Sequence, residues 1–139
     1  MNILVIDGQG GQLGAQLVKE ITTRFPNENI LAIGTNAVAT ASMLKAGAKQ
    51  AATGENPVLV ACRKADVIMG PVGIVIADAL LGEVTPKMAA ATGSADAVRI
   101  LIPMNKCDNM IAGVTNLNTA SLIADAMEKL RGVISCGKL

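Results

Sequence analysis

A cluster of glycines near the start of the chain indicates the first possible chemistry, the binding of a phosphate by backbone N–H groups. Gly8, Gly11 and Gly14 form the pattern G-x-x-G-x-x-G, and Gly10 lies between them. Each glycine costs roughly 0.5–1 kcal/mol relative to alanine inside regular structure, so the cluster indicates that the backbone passes close to something. We expect a tight turn at Gly8, a ligand close to Gly10 and Gly11, and helix-on-strand packing at Gly14. The phosphate would lie at the N-terminus of the next helix.

The loops after other predicted strands extend this cofactor site. A site for NAD has an acid about 20 residues further on that bonds the ribose hydroxyls, but Thr35 and Asn36 stand there and the next acid is Glu55. This favours NADP(H), with Thr35 and Asn36 receiving the 2′-phosphate; their alternative role is a helix cap. The predicted cofactor-binding residues are Gly8, Gln9, Gly10, Gly11, Gln12, Leu13, Thr35, Asn36, Gly70, Pro71, Val72 and Gly73.

Asp7, directly before the first glycine, opposes a phosphate in this loop. A carboxylate about 6 Å from a phosphate charge costs roughly 3 kcal/mol at an effective dielectric constant of about 20. A helix terminus returns only about 0.3–2 kcal/mol. We therefore expect Asp7 to accept hydrogen bonds from its own loop, to be protonated, or to share a cation with the ligand. The first of these, a brace for the loop, is the simplest.

Catalytic chemistry is restricted because the chain contains no His, Tyr or Trp. A Ser-His-Asp arrangement is excluded, as is the Tyr-x-x-x-Lys pair of short-chain dehydrogenases. Without His or paired Cys, no metal site is expected. Lys106 and Cys107 are the candidate catalytic residues: the cation would contact a ligand phosphate and make the neighbouring thiol more nucleophilic. The alternative is a polar turn with an incidental thiol.

Composition places these residues in one small cytoplasmic domain, residues 1–139. The net charge is +1, and no basic run exceeds Arg63-Lys64, which argues against nucleic-acid binding. No signal peptide or membrane-spanning run is visible, and the three cysteines lack C-x-x-C spacing. Charged residues make up 17% and hydrophobic residues 51%, against roughly 25% charged residues in ordinary domains. We therefore expect apolar surface to be buried in a homodimer or larger assembly.

Short apolar runs alternate with helical patterns and would position the loops at one edge of a sheet. They predict an α/β fold, a Rossmann-like three-layer sandwich with a mostly parallel five-stranded sheet. The five predicted strands are Ile3–Ile6, Ile30–Ile33, Lys49–Thr53, Val67–Met69 and Arg99–Ile102. An antiparallel sixth edge strand is expected over Met110–Val114, because the connection before it is too short for a parallel crossover.

Helical spacing predicts an amphipathic helix over Leu13–Phe25 and a second helix over about Asn36–Ala46. Asn56-Pro57 is typical of a helix start, with Asn as N-cap. The apolar run Ile74–Leu81, interrupted by Asp78, predicts a further helix, and a last helix is expected from about Thr119 to Arg131, ended by Gly132.

These loops carry two resemblances. Gly-Gln-Leu-Gly at 11–14, within the glycine pattern, resembles the loop of atypical and extended short-chain dehydrogenases. The whole set of loops resembles a family of short bacterial proteins catalogued only as a domain of unknown function and grouped with NAD(P)-binding Rossmann folds. That resemblance implies the fold and no particular reaction. The segments that carry it are Ile-Asp-Gly-Gln-Gly-Gly at 6–11, Gly-Thr-Asn at 34–36, Thr-Gly-Glu-Asn-Pro at 53–57, Gly-Pro-Val-Gly-Ile-Val-Ile-Ala-Asp at 70–78 and Pro-Met-Asn-Lys-Cys at 103–107.

Three hypotheses about function follow. The first is a nucleotide-binding protein, with NADP(H) as the expected ligand, that acts as a sensor or as the partner subunit of an enzyme. The second is a small dimeric oxidoreductase or transferase that uses Lys106 or Cys107. The third is a phospho-receiver-like switch, which Asp7 and Lys106 suit. Thr53 stands where that switch needs its acceptor Asp, so the sequence argues against it.

Overall fold

A five-stranded parallel sheet forms the centre of the molecule in the computed structural model, which describes residues 1–104, 108–114 and 118–137. The strands follow the spatial order β3-β2-β1-β4-β5, and every neighbouring pair is parallel. This confirms the predicted Rossmann-like sheet. The strands are β1 (Asn2–Asp7), β2 (Asn29–Gly34), β3 (Gln50–Thr53), β4 (Val67–Pro71) and β5 (Val98–Ile102).

Helices cover both faces of the sheet and make the predicted three layers. One apolar cluster packs α1, α2 and α5 on one face, and a second packs α3 and α4 on the other. Side chains alternate along each strand, so β1 sends Val5 to the first cluster and Leu4 to the second. The helices are α1 (Gln12–Arg24), α2 (Ala37–Lys45), α3 (Glu55–Cys62), α4 (Pro86–Ser94) and α5 (Thr119–Cys136).

The predicted sixth strand over Met110–Val114 is wrong, because residues 110–114 form no strand. The N–H of Val114 bonds the carbonyl of Ile111 in a turn, and Gly113 has a φ of 86°. A glycine in the left-handed region bends the chain instead of extending it. Met110 is almost fully exposed, with 98% of its surface accessible.

The predicted apolar helix over Ile74–Leu81 is also wrong. A single 3-10 turn at Val72–Val75 leads into a series of turns over residues 76–84, which we call the strap. Asp78, expected in that helix, is exposed and has a φ of 65°. Left-handed residues cannot continue a right-handed helix, and the β-branched residues at the start of this segment are poor helix formers.

One helix and two helix boundaries also differ from prediction. The α4 helix was not predicted, although Thr85 caps it by accepting a hydrogen bond from the N–H of Met88, and a proline follows in its first turn. The α3 helix begins before Asn56, with Gly54 as its N-cap. The α5 helix continues through Gly132 to Cys136, because a glycine lowers helix stability by only about 1 kcal/mol and does not stop a helix whose apolar face is buried.

Candidate functional site

The carboxyl ends of three strands meet side by side, as the sequence predicts. Asp7 at the end of β1 is in register with Gly34 of β2, which is in register with Thr53 of β3. After β1 the chain turns tightly, because the N–H of Gly11 bonds the carbonyl of Gly8 at 2.9 Å, and α1 begins immediately. Residues 8–11, which we call the glycine loop, therefore lie at the edge where open parallel sheets bind ligands.

Packing within the chain explains three glycines of the G-x-x-G-x-x-G pattern. A Cβ at Gly8 would lie 2.5 Å from the hydroxyl of Thr35, and one at Gly11 would lie 2.6 Å from the Cα of Ala39. A Cβ at Gly14 would lie 2.7 Å from the Cβ of Asp7. These residues are glycine because neighbouring segments come too close for a side chain.

Gly10 is different. It is exposed, and a Cβ added to it would meet nothing within 4 Å. The described fold therefore does not require a glycine at this position. Next to it, the N–H groups of Gln12 and Leu13 at the start of α1 have no hydrogen-bond acceptor among the described residues. The space above Gly10 and these donors is open to a ligand.

Asp7 braces the loop from inside. The side chain is only 5% exposed, and its carboxylate accepts hydrogen bonds from the N–H of Gly8 at 2.8 Å and from that of Gly14 at 2.6 Å. The α1 N-cap is Gly11, which has no side chain to cap the helix, so Asp7 takes that role from the preceding strand. Burial raises the pKa of Asp7 despite these two bonds. The brace expected from the sequence is confirmed.

A second carboxylate, that of Glu83 in the strap, contacts the loop from outside. Its Oε1 accepts hydrogen bonds from the N–H of Gln9 at 2.9 Å, the hydroxyl of Thr35 at 2.7 Å and the amide of Asn36 at 2.6 Å. We call these three donors the anion cradle. Burial acts to raise the pKa of Glu83, but the three hydrogen bonds outweigh it and lower the pKa, so the group is ionised at neutral pH.

Asn36 performs one of the two roles that the sequence left open for its position, that of a helix cap. Its side-chain oxygen accepts from the N–H of Ala39 at 2.9 Å and so caps α2. That bond directs the amide N–H group toward Glu83 and toward the carbonyl of Gln9, 3.0 Å away. Thr35 and Asn36, expected to receive a 2′-phosphate, are therefore bonded to a carboxylate.

The remaining predicted cofactor residues lie either at the start of α1 and the loop before it, or at the end of β4 and the turn after it. Gln9 and Gln12 are exposed beside the open space, whereas Leu13 points its side chain into the core. Gly70 and Pro71 belong to β4, and Val72 and Gly73 begin the 3-10 turn. A Cβ at Gly70 would lie 2.2 Å from the carbonyl oxygen of Ile6, so strand packing explains that glycine.

The predicted catalytic residues Lys106 and Cys107 lie outside the described residues, so their role stays a prediction. Glu55, the next acid in the sequence after β2, accepts a hydrogen bond from the Thr85 hydroxyl at 2.6 Å. Glu83 was missed because it lies 47 residues from Asn36 in the sequence. No periodicity or motif in the strap marks it.

Two further searches cover the described part of the chain. Among residues 1–104, 108–114 and 118–137, no three His, Cys, Asp or Glu side chains are grouped so as to hold a metal ion. Within the same ranges, no helix combines the length and the apolar character needed to cross a membrane.

The parallel sheet, its strand order and the glycine loop define a Rossmann-like α/β protein. More particularly, the chain belongs to the family described as Domain of unknown function (DUF3842), whose model matches residues 2–135. No curated protein matches the chain. Among solved structures, it is similar to the crystal structure of a dodecameric FMN-dependent UbiX-like decarboxylase from Escherichia coli O157:H7. The two are 14% identical with a TM-score of 0.46, over 95% of this chain and 75% of the other.

Proposed function

We propose that this protein is a cytoplasmic nucleotide-binding protein that acts as a sensor or as the partner subunit of an enzyme. The observation that carries the proposal is Gly10, the one glycine of the glycine loop that packing inside the described fold does not explain. A ligand phosphate above Gly10 would accept hydrogen bonds from the N–H groups of Gln12 and Leu13. The glycine loop follows β1, the strand next to β4, and the strand order reverses between these two strands, where open α/β sheets bind their ligands.

The charge of Asp7 is compatible with this site. Its carboxylate is buried, and the N–H groups of Gly8 and Gly14 compensate its charge from within the loop. Burial raises the pKa of Asp7, while these two hydrogen bonds act to lower it. The ligand would therefore meet the outward N–H groups of the helix start rather than a bare carboxylate.

The position of Glu83 favours NAD(H) over NADP(H), the opposite of the preference predicted from the sequence. Its ionised carboxylate lies against Thr35 and Asn36, where a 2′-phosphate was expected, and two anions at one point repel each other. All three described hydrogen bonds use Oε1, which leaves Oε2 to accept the ribose hydroxyls of a ligand. NAD(H) or another adenosine nucleotide with free ribose hydroxyls fits this arrangement better than NADP(H).

Gly10→Val is expected to remove nucleotide binding while the protein stays folded, because the branched side chain enters the open space and its Cβ meets nothing within 4 Å. Thermal unfolding with NADH, NAD, AMP, ATP and NADPH measures this. A ligand at a hundredfold excess over its Kd adds about 2.7 kcal/mol of stability. Since 1 kcal/mol raises the Tm by about 2–8 °C in domains of this size range, the wild-type shift should be several degrees.

Gly132→Ala is the matched control for this experiment. Gly132 also has open space around it, but it lies on α5, away from the glycine loop. This variant should keep the full ligand-induced shift and gain about 1 kcal/mol from helix propensity. If no nucleotide changes the wild-type Tm, or if Gly10→Val keeps the full shift, the proposed site is wrong.

We also propose that the protein forms a homodimer or larger assembly. Leu81 is 95% exposed and Met110 is 98% exposed, and Val38 on α2 adds a further uncovered apolar side chain. Large apolar side chains that are fully in water favour association. Light scattering at micromolar concentration is expected to give at least twice the 14.2 kDa mass of the chain. A monomer at this concentration would contradict the proposal.

A further inference from the structure

We propose that the anion cradle is a binding site for a phosphate monoester and that Glu83 fills it with its own carboxylate. Glu83 would thus be the residue that excludes 2′-phosphorylated nucleotides from this protein. The inference rests on the proposed nucleotide-binding function, which it deepens by naming what decides between ligand classes. The same chemistry would accept either a ribose 2′-phosphate or a free phosphate.

The geometry of the cradle is that of an oxyanion site. A backbone N–H from the glycine loop, a hydroxyl from the end of β2 and an amide from the N-cap of α2 converge on one oxygen atom, all within 2.9 Å. Three donors on one oxygen are more than a neutral acceptor ordinarily collects, and short bonds of this kind are typical of an ionised acceptor. A phosphate monoester offers the same oxyanion with additional negative charge.

Contacts that do not involve Glu83 hold the donors in place. Asn36 is fixed by its bond to the N–H of Ala39 at the start of α2. The backbone of Thr35 is fixed by the bond from its N–H to the carbonyl of Asp7. Gln9 has a φ of 50°, set by the tight turn of the glycine loop. The cradle should therefore keep its shape when the carboxylate is removed.

The strap that delivers Glu83 is attached to the loop by few contacts. Its described backbone hydrogen bonds are internal or go to the adjacent 3-10 turn, such as those from Asp78 to Val84 and from Gly82 to Asp78. Among the described residues, Glu83 makes all the strap's hydrogen bonds to the cradle. The apolar side chain of Leu80 also lies close to Gly8. Asp78, Leu80 and Leu81 all have left-handed backbone angles, which L-residues rarely adopt. Removing one carboxylate should therefore free the cradle without disturbing the sheet.

The test compares the Kd of NADH with that of NADPH by calorimetry, for the wild type and for Glu83→Ala and Glu83→Gln. Wild type should bind NADH more tightly. Glu83→Ala should move the ratio at least tenfold toward NADPH, because the cradle then offers three donors and no opposing charge. Glu83→Gln should move it in the same direction by less, since its amide still occupies the cradle. Glu128→Gln on α5 removes an equal charge from a remote exposed side chain and should leave the ratio unchanged.

A second arm titrates each variant with inorganic phosphate. Binding to Glu83→Ala that wild type lacks supports a cradle for free phosphate, and a changed NADPH ratio without it supports a site for the 2′-phosphate of a nucleotide. If nucleotides bind but neither Glu83 variant changes the ratio, the inference is overturned and the proposed function stands. If no variant binds any nucleotide, the proposed function fails. Glu83→Gln, which keeps the size of the side chain, tests the inference if the alanine variant does not fold.

Discussion

Asp7→Ala is expected to lower the free energy of unfolding by about 3 kcal/mol, since it leaves two buried N–H groups without an acceptor at about 1–3 kcal/mol each. These are the N–H groups of Gly8 and Gly14, and the second belongs to the first turn of α1. Urea unfolding followed by circular dichroism measures the change. For a domain with about 5–15 kcal/mol of total stability, this is one of the largest effects that a single side chain can have.

Asp66→Ala is the matched control for this prediction. Asp66 also accepts a hydrogen bond from a backbone N–H, that of Asn2 at 2.8 Å, but the bond is exposed to solvent. Water can replace the lost acceptor there, so the change should stay below about 1 kcal/mol. Equal losses in the two variants would show that the buried position of Asp7 gives it no special role.

The pH dependence gives the Asp7 prediction a second measurement. The pKa of Asp7 is raised by burial, so the native state holds its proton more tightly than the unfolded state does. Stability from this group is therefore greatest in acid and falls as the pH rises from the ordinary pKa of Asp through the raised one. Asp7→Ala lacks this term, so the stability difference between wild type and variant should shrink over that interval. A difference that grows instead would contradict the raised pKa.

The sequence was sufficient for the sheet and for the glycine loop because both depend on local patterns. Apolar runs of strand length, glycines directly after β1 and helical spacing in α1 all agree with one fold. The Asn36 cap and the Asp7 brace could also be predicted, since each side chain contacts residues at most seven positions away in the sequence. At these positions the physical requirement and the residue that meets it lie close together in the chain.

The strap could not be predicted in this way. Its apolar residues have the composition of a buried helix, but β-branched side chains and three left-handed residues give a series of turns. Its contact from Glu83 to Thr35 and Asn36 joins segments that only the tertiary fold brings together. The sequence has no acid directly after β2, which predicts a preference for NADP(H). In the fold, Glu83 from the loop after β4 lies at that position.

Two carboxylates therefore hold the glycine loop from opposite sides. Asp7 bonds the N–H groups that face the core, and Glu83 bonds the N–H of Gln9 that faces outward. Coulomb repulsion from Glu83 contributes to the raised pKa of Asp7, so the two groups are also linked electrostatically. An anionic ligand would therefore have to bind beside both carboxylates or take the place of Glu83. In our proposals, the space above Gly10 is the site for the first case and the anion cradle is the site for the second.

The glycines of the loop can be separated experimentally into those that serve the fold and the one that, in our proposal, serves a ligand. Gly11→Ala is expected to lower the free energy of unfolding by about 3 kcal/mol. Gly11 has a φ of 73°, and an alanine Cβ would lie 2.6 Å from the backbone of Ala39 in α2. The left-handed conformation costs roughly 1–2 kcal/mol for an L-residue, and overpacking against backbone that cannot move away adds about 1–3 kcal/mol.

Gly10→Ala, at the neighbouring position, should change the free energy of unfolding by less than about 0.5 kcal/mol, as surface substitutions without new contacts ordinarily do. Its added Cβ meets nothing within 4 Å, and the residue does not have a left-handed φ. Urea denaturation of the two alanine variants in parallel, without ligand, measures the difference. Nearly equal losses would mean that Gly10 also serves the fold, and the observation behind the proposed nucleotide site would be removed. A large loss at Gly11 alone would agree with the proposal that a ligand lies close to Gly10.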